Sequence, residues 1–254
     1  MTGPELGFRL DGRVAIVTGA SSGLGHRFAT VLHAAGATVV PIARRADRLE
    51  ALAVGHDRMH PVVGDVTDHR AMAAMVASVE RDFGSIDVLV NNAGISRPGP
   101  ALGEAAEDVR EVLDVNVVAL FEMSRLVATR MVAASGGSIV NIASILGLVA
   151  GAPISQASYC ASKGAVISLT REMACQWARS GVRVNAIAPG WFPSEMTSEL
   201  VGDERGSAYV RRNCPMGRYG EEGELDGALL YLASSYSTYC TGQVLAVDGG
   251  WTAR

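Results

Sequence analysis

The sequence has few of the residues that mark disulfide-stabilised or metal-binding proteins. Only four of its 254 residues are cysteines, and no Cys-x-x-Cys pair occurs. We therefore expect free thiols and a reducing, cytoplasmic setting. The five histidines show no metal-ligand pattern, since His56 and His60 lie four apart but are flanked by Gly55 and Pro61 in a predicted loop. We expect no metal site.

Charge and hydropathy exclude further classes of protein. The formal net charge is −4, whereas nucleic-acid binding favours a basic surface. No block of like charges suggests a tail, and no apolar run reaches the ~18 residues of a membrane span. The first 13 residues lack the basic-then-apolar layout of a signal peptide. We therefore expect a cytoplasmic globular protein without nucleic-acid or membrane partners, and 48% hydrophobic residues suffice for a large core.

Seven short apolar segments alternate with longer segments of helical periodicity. The predicted strands are 13–19, 37–43, 59–66, 86–94, 137–144, 183–190 and 242–250; the predicted helices are 24–36, 68–83, 104–134, 156–179 and 221–234. Strands that are apolar on both faces and joined by helices are typical of a covered parallel sheet. We predict an α/β protein with a single domain over residues 1–254, a doubly wound Rossmann fold whose seven-stranded parallel sheet has helices on both faces. Pro41 lacks a ladder donor, so we expect a local bulge there or a nitrogen that needs no partner.

A glycine-rich turn, TGASSGLG at 18–25, joins the first strand to the first helix. Its glycines allow a sharp exit from the strand and a close approach of the backbone to a diphosphate, which the first amides of the helix would bind. The alternative is a plain strand-to-helix turn, which the position after the first strand disfavours. The candidate phosphate-binding residues are Gly19, Ser21, Ser22, Gly23, Leu24 and Gly25.

The end of the second strand indicates which dinucleotide binds. Enzymes that use NAD carry an acidic residue there, which binds the ribose 2′-hydroxyl, but this chain has Ala43 followed by Arg44 and Arg45. A guanidinium can hold a 2′-phosphate through two parallel hydrogen bonds. We therefore predict a preference for NADP(H), with NAD(H) possible. The alternative is two solvated arginines at the start of a helix. Asp65 ends the third strand, either under the adenine or as the N-cap of helix 68–83.

Tyr159 and Lys163 lie one helical turn apart in the segment SYCASKGA. The phenol of a free tyrosine has a pKa of about 10, and lowering that pKa to about 7 requires about 4 kcal/mol. A cation at ~4 Å supplies about 1 kcal/mol in water but about 4 kcal/mol at an effective dielectric of 20. Lys163 can therefore prime Tyr159 as an acid only in a site shielded from water. The alternative is a surface pair on an amphipathic helix.

The segment at about 191–216 is a candidate for that shield. It carries apolar residues in a loop-like region and could close over a substrate, or these residues could serve ordinary helix packing. They are Trp191, Phe192, Met196, Leu200 and Met216.

Two polar residues lie near the predicted carboxyl edge of the sheet. Ser144 ends the fifth strand, where its hydroxyl could donate to a substrate carbonyl beside Tyr159. Asn116 lies inside an apolar helix and needs hydrogen-bond partners if buried. It could hold a water that links Lys163 to solvent, or it could bond to neighbouring backbone.

These motifs together resemble the short-chain dehydrogenase/reductase family. The resemblance covers residues 8–252 and rests on TGASSGLG, NNAG at 91–94, Asn116, Ser144, YCASK at 159–163, PG at 189–190 and the closing TGQVLAVDGGW. It implies that Tyr159 is the acid–base residue and that Lys163 also binds the nicotinamide ribose. It further implies that Ser144 orients the substrate oxygen and that Asn116 completes a proton relay.

The resemblance also implies cofactor contacts and an assembly state. PGWFPSEM is similar to the nicotinamide-contacting loop of the family, with Ser194 where threonine is usual. The family commonly forms tetramers through its long helices and last strand, so we expect a homotetramer. The implied cofactor contacts, beyond those of the glycine turn and the arginines, are Asp65, Val66, Asn91, Asn92, Ala93, Gly94, Tyr159, Lys163, Pro189, Gly190, Phe192 and Ser194.

One spacing departs from the family pattern. Ser144 and Tyr159 are 15 residues apart, slightly more than is usual, and we expect a bulge at 151–153. Ser155 and Ser158 are the alternatives to Ser144, although neither ends a strand.

The predicted function is NADP(H)-dependent hydride transfer between the nicotinamide and a ketone or secondary alcohol. The chain ending resembles 3-oxoacyl-thioester reductases and gluconate-type sugar-acid dehydrogenases. Arg97 could meet a substrate carboxylate or phosphate, and Ile95, Leu146 and Trp191 suggest a partly apolar pocket. One alternative is a nucleotide sensor without turnover, which has no need of the whole Ser–Tyr–Lys set. Another is sugar-nucleotide epimerase or dehydratase chemistry, whose enzymes have a different glycine spacing and a substantial C-terminal substrate domain. In this sequence only a short stretch follows the sixth predicted strand, which disfavours that alternative.

Overall fold

A seven-stranded parallel sheet forms the centre of the computed structural model, which describes residues 7–151 and 154–254. The strands lie side by side in the order β3-β2-β1-β4-β5-β6-β7, and every pairing is parallel. All seven predicted strands are present, so the predicted doubly wound sheet is confirmed. They are β1 Val14–Thr18, β2 Thr38–Ala43, β3 Val62–Val63, β4 Val88–Asn91, β5 Gly137–Ile142, β6 Val182–Pro189 and β7 Val244–Val247.

Helices cover both faces of this sheet. The segment predicted as one helix over 104–134 is two helices joined by a π-helical turn at Asp114–Val118. The region 191–216 is less loop-like than expected, because two helices form within it. The helices are α1 Gly23–Ala34, α2 Ala46–Ala53, α3 His69–Phe83, α4 Ala106–Leu113, α5 Ala119–Ala133, α6 Ala157–Trp177, α7 Ser198–Gly202, α8 Glu204–Asn213 and α9 Asp226–Ala233.

The core has two layers because both faces of the strands are buried. In β1, Ala15 and Val17 face one layer, which also contains Phe28 of α1 and Leu229 of α9. The alternate residues of the strand face the other layer, with side chains from α3, α5 and α6. Successive side chains of a strand point to opposite faces, so a sheet covered on both sides needs apolar residues at every position.

The sheet edge explains two local features of the sequence. Strand β3 has two residues rather than the predicted eight, and Val63 is 57% exposed at this edge. The ladder between β1 and β2 runs without interruption through Val17 and Pro41, so the predicted bulge is absent. The amide of Val39 donates to Arg58 on the β3 side, and the alternation of the strand turns the Pro41 nitrogen to that same side. The pairing with β3 resumes only at Ile42, so this nitrogen needs no partner.

The strand order reverses between β1 and β4. From β1 the chain moves outward to β2 and β3, and then returns to β4 on the other side of β1. Ligands of open α/β sheets bind beyond the carboxyl ends of the strands at such a reversal. Within the described residues, no helix combines the length and the apolar character needed to cross a membrane.

Candidate active site

The glycine-rich turn is built by close packing at the end of β1. Gly19 has φ +68°, and a Cβ there would lie 2.8 Å from Cα of Ala93. A Cβ on Gly25, in the first turn of α1, would overlap the carbonyl oxygen of Gly19. Only glycine therefore lets the helix start this close to the strand end.

The start of α1 is arranged to receive an anion. Ser22 stands at the N-cap, but its side chain does not cap the helix. Amides of the first helical turn lack intrahelical partners, and the helix dipole favours negative charge at this end. The residues present at the turn therefore fit a diphosphate.

One cavity of about 640 Å³ extends along the carboxyl ends of the strands. It is lined by almost every residue predicted to bind the cofactor, but Gly25 lies outside it, packed against Gly19. Its volume falls in the range of small-molecule and cofactor sites. The predicted residues that line it are Gly19, Ser21, Ser22, Gly23, Leu24, Arg44, Arg45, Asp65, Val66, Asn92, Ala93, Gly94, Ser144, Tyr159, Lys163, Pro189, Gly190, Phe192 and Ser194.

Further residues expected in the cavity also lie elsewhere. Asn91 is buried, and its amide nitrogen donates to Ser124 at 2.8 Å and to Asn141 at 2.9 Å. Its neighbour Asn92 points the other way and bonds the backbone of the glycine turn. Leu146 and Trp191 do not line the cavity either, because they belong to a separate apolar cluster around Trp251.

Three side chains of the predicted chemistry meet in this cavity. Tyr159 and Lys163 lie on α6, and the ammonium nitrogen of Lys163 is 5.5 Å from the centroid of the Tyr159 ring. That nitrogen donates to the backbone oxygen of Ile142 at 2.7 Å, which ties α6 to the end of β5. Ser144 follows β5, its hydroxyl accepts from the amide of Leu146 at 3.1 Å, and it lies close enough to Tyr159 to lower the pKa of the phenol. The three groups are nearly inaccessible to solvent.

Burial shifts the pKa values of Tyr159 and Lys163 in opposite directions. Desolvation raises the pKa of Tyr159 to about 12, although the hydrogen bond with Ser144 opposes this shift. Desolvation also lowers the pKa of Lys163 to about 8. Burial therefore sets the direction of the Tyr159 shift, and the priming of Tyr159 by Lys163 stays a prediction.

Asn116 lies behind the cavity wall in the π-helical turn. Its Oδ1 accepts from the amide of Ile95 at 2.8 Å, and its Nδ2 donates to the oxygen of Ile95 at 2.9 Å and to Ser162 at 3.0 Å. These are the backbone bonds that the structural alternative predicted, and they fix the chain after Gly94. The π-helical turn places Asn116 here, and such turns occur frequently at functional sites. The proton-relay role stays a prediction.

The long spacing between Ser144 and Tyr159 does not displace Ser144. The hydroxyl of Ser158 is buried away from the cavity, and the backbone oxygen of Ser155 accepts from Gly99. Neither residue lines the cavity. The bulge expected at 151–153 falls mostly outside the described residues.

Asp65 does not cap α3, so the alternative role considered for it is wrong. The N-cap is Asp68, whose carboxylate accepts from the amide of Ala71. Asp65 instead accepts from the amide and hydroxyl of Thr67 and lies 3.6 Å from Arg44. These bonds, chiefly the one from the Thr67 amide, hold the pKa of Asp65 below its usual range. Asp65 lines the cavity, as its placement under an adenine requires.

Glu195 is a cavity residue that the sequence reasoning missed. Its carboxylate contacts Arg45, Arg48 and Ser22. These bonds, with Arg45 the largest contributor, lower the pKa of Glu195 to about 2. The contact between Glu195 and Arg45 joins residues 150 positions apart, so no local sequence pattern predicts it.

The far end of the cavity carries polar groups suited to a substrate. Ser96, Arg97 and Glu111 line it, and Arg97 pairs with Glu111 at 2.7 Å. The hydroxyl of Ser96 donates to Gln156 at 2.9 Å, at the start of α6. Ile95 and Met196 add apolar surface.

Among the described residues, no group of three or more histidine, cysteine, aspartate or glutamate side chains is placed to hold a metal ion. All four cysteines have free thiols in the structure.

The chain is similar to known enzymes over nearly its full length. A family model described as enoyl-(acyl carrier protein) reductase matches residues 19–252. The chain is 42% identical to a gluconate 5-dehydrogenase of Gluconobacter oxydans (strain 621H), covering 99% of each chain. It is 44% identical to a galactitol 2-dehydrogenase (L-tagatose-forming) of Cereibacter sphaeroides, covering 96% of this chain and 97% of the other.

A solved structure is also similar over nearly the full length of the chain. The gluconate 5-dehydrogenase of Burkholderia cenocepacia J2315, in complex with NADP and tartrate, is 37% identical, with a TM-score of 0.92 and coverage of 97% of this chain and 98% of that one. The sheet order, the glycine turn and the cavity that joins Ser144, Tyr159 and Lys163 agree with this similarity. The chain belongs to the short-chain dehydrogenase/reductase family of oxidoreductases.

Proposed function

We propose that this chain transfers a hydride between NADP(H) and a ketone or secondary alcohol by a Ser144–Tyr159–Lys163 mechanism. The observation that supports it most is the presence of all three side chains in the same cavity as the glycine turn. The turn would hold the diphosphate, Arg44 and Arg45 would lie near the 2′-phosphate, and Lys163 would contact the nicotinamide ribose. The bound nicotinamide would supply or accept the hydride.

The chain's own part in the reaction is to orient the substrate and move a proton. In reduction, the hydroxyls of Ser144 and Tyr159 donate to the substrate carbonyl oxygen. Negative charge develops on that oxygen as the alcohol forms, and Tyr159 transfers its proton to it. The phenol of Tyr159 is protonated at neutral pH, so in the direction of reduction it carries the proton that the alcohol oxygen takes up. Lys163 then lies beside the phenolate, in a site where little water screens its charge.

The covering role of residues 191–216 belongs to the same proposal. Ser194 and Thr197 form a reciprocal hydrogen-bonded turn, and the hydroxyl of Thr197 donates to the oxygen of Phe192 at 2.7 Å. This turn lines the cavity across from the glycine turn. It would shield the reacting groups from water.

For the substrate, we favour a polyhydroxy compound such as a sugar acid over a 3-oxoacyl thioester. The hydroxyl, guanidinium and carboxylate of Ser96, Arg97 and Glu111 at the far end of the cavity support this choice. Hydroxyl-rich substrates need such hydrogen-bond partners, whereas an acyl chain needs an apolar channel. The names of the similar enzymes point to the same class.

Replacing Tyr159 by Phe tests the mechanism. The variant should still bind NADPH but turn over at least a hundred-fold more slowly, which is the low end of the effect of acid–base catalysis. Tyr239→Phe is the matched control, because Tyr239 is fully exposed and should keep wild-type turnover. Turnover of Tyr159→Phe close to that of the control would reject Tyr159 as the acid.

A further inference from the structure

The carboxylate of Glu195 occupies the place predicted for a phosphate. Its Oε1 accepts from Nη1 of Arg45 at 3.2 Å and from Nη1 of Arg48 at 3.0 Å. Its Oε2 accepts from Nη2 of Arg45 at 3.0 Å and from the hydroxyl of Ser22 at 2.9 Å. A paired guanidinium fork around two anionic oxygens is the geometry with which arginine also binds phosphate.

Two of the three residues that donate to this carboxylate, Ser22 and Arg45, are also assigned to the cofactor. Arg45 also donates to Ser21 at 3.1 Å and to Ser22 at 2.6 Å, so the arginine and both serines form one cluster. The neighbouring Arg44 pairs with Asp65 instead. A phosphate that arrives at Arg45 must therefore take donors from Glu195, because two anions cannot share them without repulsion.

Glu195 also connects two parts of the chain. It begins the turn Glu195–Thr197 in the covering segment, whereas its partners lie on the glycine turn and at the start of α2. The adjacent Ser194 lies over Gly23, where an added Cβ would be 3.5 Å from that of Ser194. Loss of the Glu195 contacts would therefore release the covering segment from the cofactor site.

We propose that Glu195 is a specificity-determining residue, an internal anion that occupies the 2′-phosphate subsite. NADP(H) must displace it, whereas NAD(H), which has a hydroxyl at that position, need not. Glu195 thus weakens NADP(H) binding relative to NAD(H), against the preference that the arginines create. This inference rests on the proposed cofactor function.

The test is a fluorescence titration of NADPH and NADH into the substrate-free protein. Glu195→Gln keeps the size of the side chain but removes its charge. We expect the variant to bind NADPH roughly three- to tenfold more tightly, as expected for the loss of exposed ion pairs, with NADH binding unchanged. Glu224→Gln is the matched control, because Glu224 pairs with a guanidinium fork of Arg218 outside the cavity and should change neither affinity.

A second measurement follows the covering segment directly. Adenosine 2′,5′-bisphosphate should speed hydrogen exchange of the amides in 194–198 of the wild-type protein, and adenosine 5′-monophosphate should not. In Glu195→Gln, exchange there should be fast before any ligand is added. Equal exchange with both nucleotides in the wild-type protein would overturn the proposal.

The titration separates failure of this inference from failure of the proposed function. If the wild-type protein binds NADPH but Glu195→Gln leaves its affinity unchanged or weakens it, the inference is rejected and the function stands. The inference is also rejected if Glu195→Gln binds NADPH and NADH more tightly by the same factor. It is likewise rejected if the variant binds only NADH differently, and more weakly. If the wild-type protein binds neither dinucleotide, both proposals fail.

Discussion

At the scale of single residues, burial decides the charge states of the reacting groups before any cofactor is present. Tyr159 and Lys163 have pKa values displaced in opposite directions, each towards the neutral form of its group. Desolvation penalises any charged form, whichever its sign. Both groups therefore respond strongly to a charge that arrives in the cavity.

Lys163 is the only lysine in the sequence, which makes its pKa directly measurable. Protein labelled with ¹³C at the lysine ε-carbon should give one side-chain resonance by NMR, with a titration midpoint near the pH of about 8 set by burial. Addition of a dinucleotide should shift this midpoint if Lys163 lies at its ribose. A midpoint at the ordinary value of 10.5 would show that Lys163 is solvated, which contradicts the site geometry.

The same shift makes folding stability depend on pH. The pKa of Lys163 is lower in the folded chain than in the unfolded chain, so the unfolded chain binds more protons between pH 8 and 10.5. The free energy of unfolding contributed by this group therefore rises across that interval, by about 3 kcal/mol in total, and is constant below it. In the Lys163→Met variant, the free energy of unfolding measured by urea denaturation should lack this rise. If the free energies of the wild-type protein and the variant change in parallel above pH 8, the assignment is contradicted.

At the scale of elements, the start of α1 depends on how closely it approaches β1. Gly25→Ala should lower the free energy of unfolding by more than about 2 kcal/mol, because the new methyl group meets the backbone of Gly19. Gly227→Ala is a matched control within a helix, since its Cβ would meet no atom within 4 Å. It should be neutral or stabilise by up to about 1 kcal/mol. Equal effects in urea denaturation would show that the close approach is not needed.

Some secondary-structure elements can be predicted from the sequence and others cannot. The strands are predictable because burial on both faces selects apolar residues at every position, as in β1. The π-helical turn at Asp114–Val118 is not, because it depends on the bonds of Asn116 to Ile95, 21 residues away. The predicted range of β3, 59–66, is longer than the observed strand Val62–Val63. An apolar run in the sequence does not reveal where the pairing with a neighbouring strand ends.

The site residues were predictable where chemistry follows directly from strand ends or motifs. Ser144, Tyr159 and Lys163 fall into the cavity as predicted. Asn91 was misplaced although strand alternation could have separated it from Asn92, since neighbouring side chains point to opposite faces. Glu195 could not be found this way, because its partners are distant in the chain.

At the scale of the whole molecule, one domain supplies every group that the proposed chemistry needs. The cavity lies where the strand order reverses, and its lining comes from residues 19–197. The homotetramer implied by the family resemblance stays a prediction. The family resemblance places such contacts on the long helices, and three large apolar side chains at and beside α5 are each about two-fifths exposed in the single chain. They are Val118, Phe121 and Val132.

An intact cavity leaves one broad alternative, a protein that binds the dinucleotide and does not turn it over. The buried Ser144, Tyr159 and Lys163 argue against this alternative, because binding alone gives no reason to bury an ammonium beside a phenol at a desolvation cost. Turnover is therefore the property that separates the two.

The most direct measurement is a panel of ketones and alcohols assayed with NADPH and NADH in parallel. The panel contains polyhydroxy keto acids, the corresponding sugar acids and polyols, and 3-oxoacyl thioesters. We predict oxidation of NADPH with a polyhydroxy ketone and the reverse reaction with its alcohol, both lost in Tyr159→Phe. Tight NADPH binding without turnover of any compound in either direction would contradict the proposed hydride transfer.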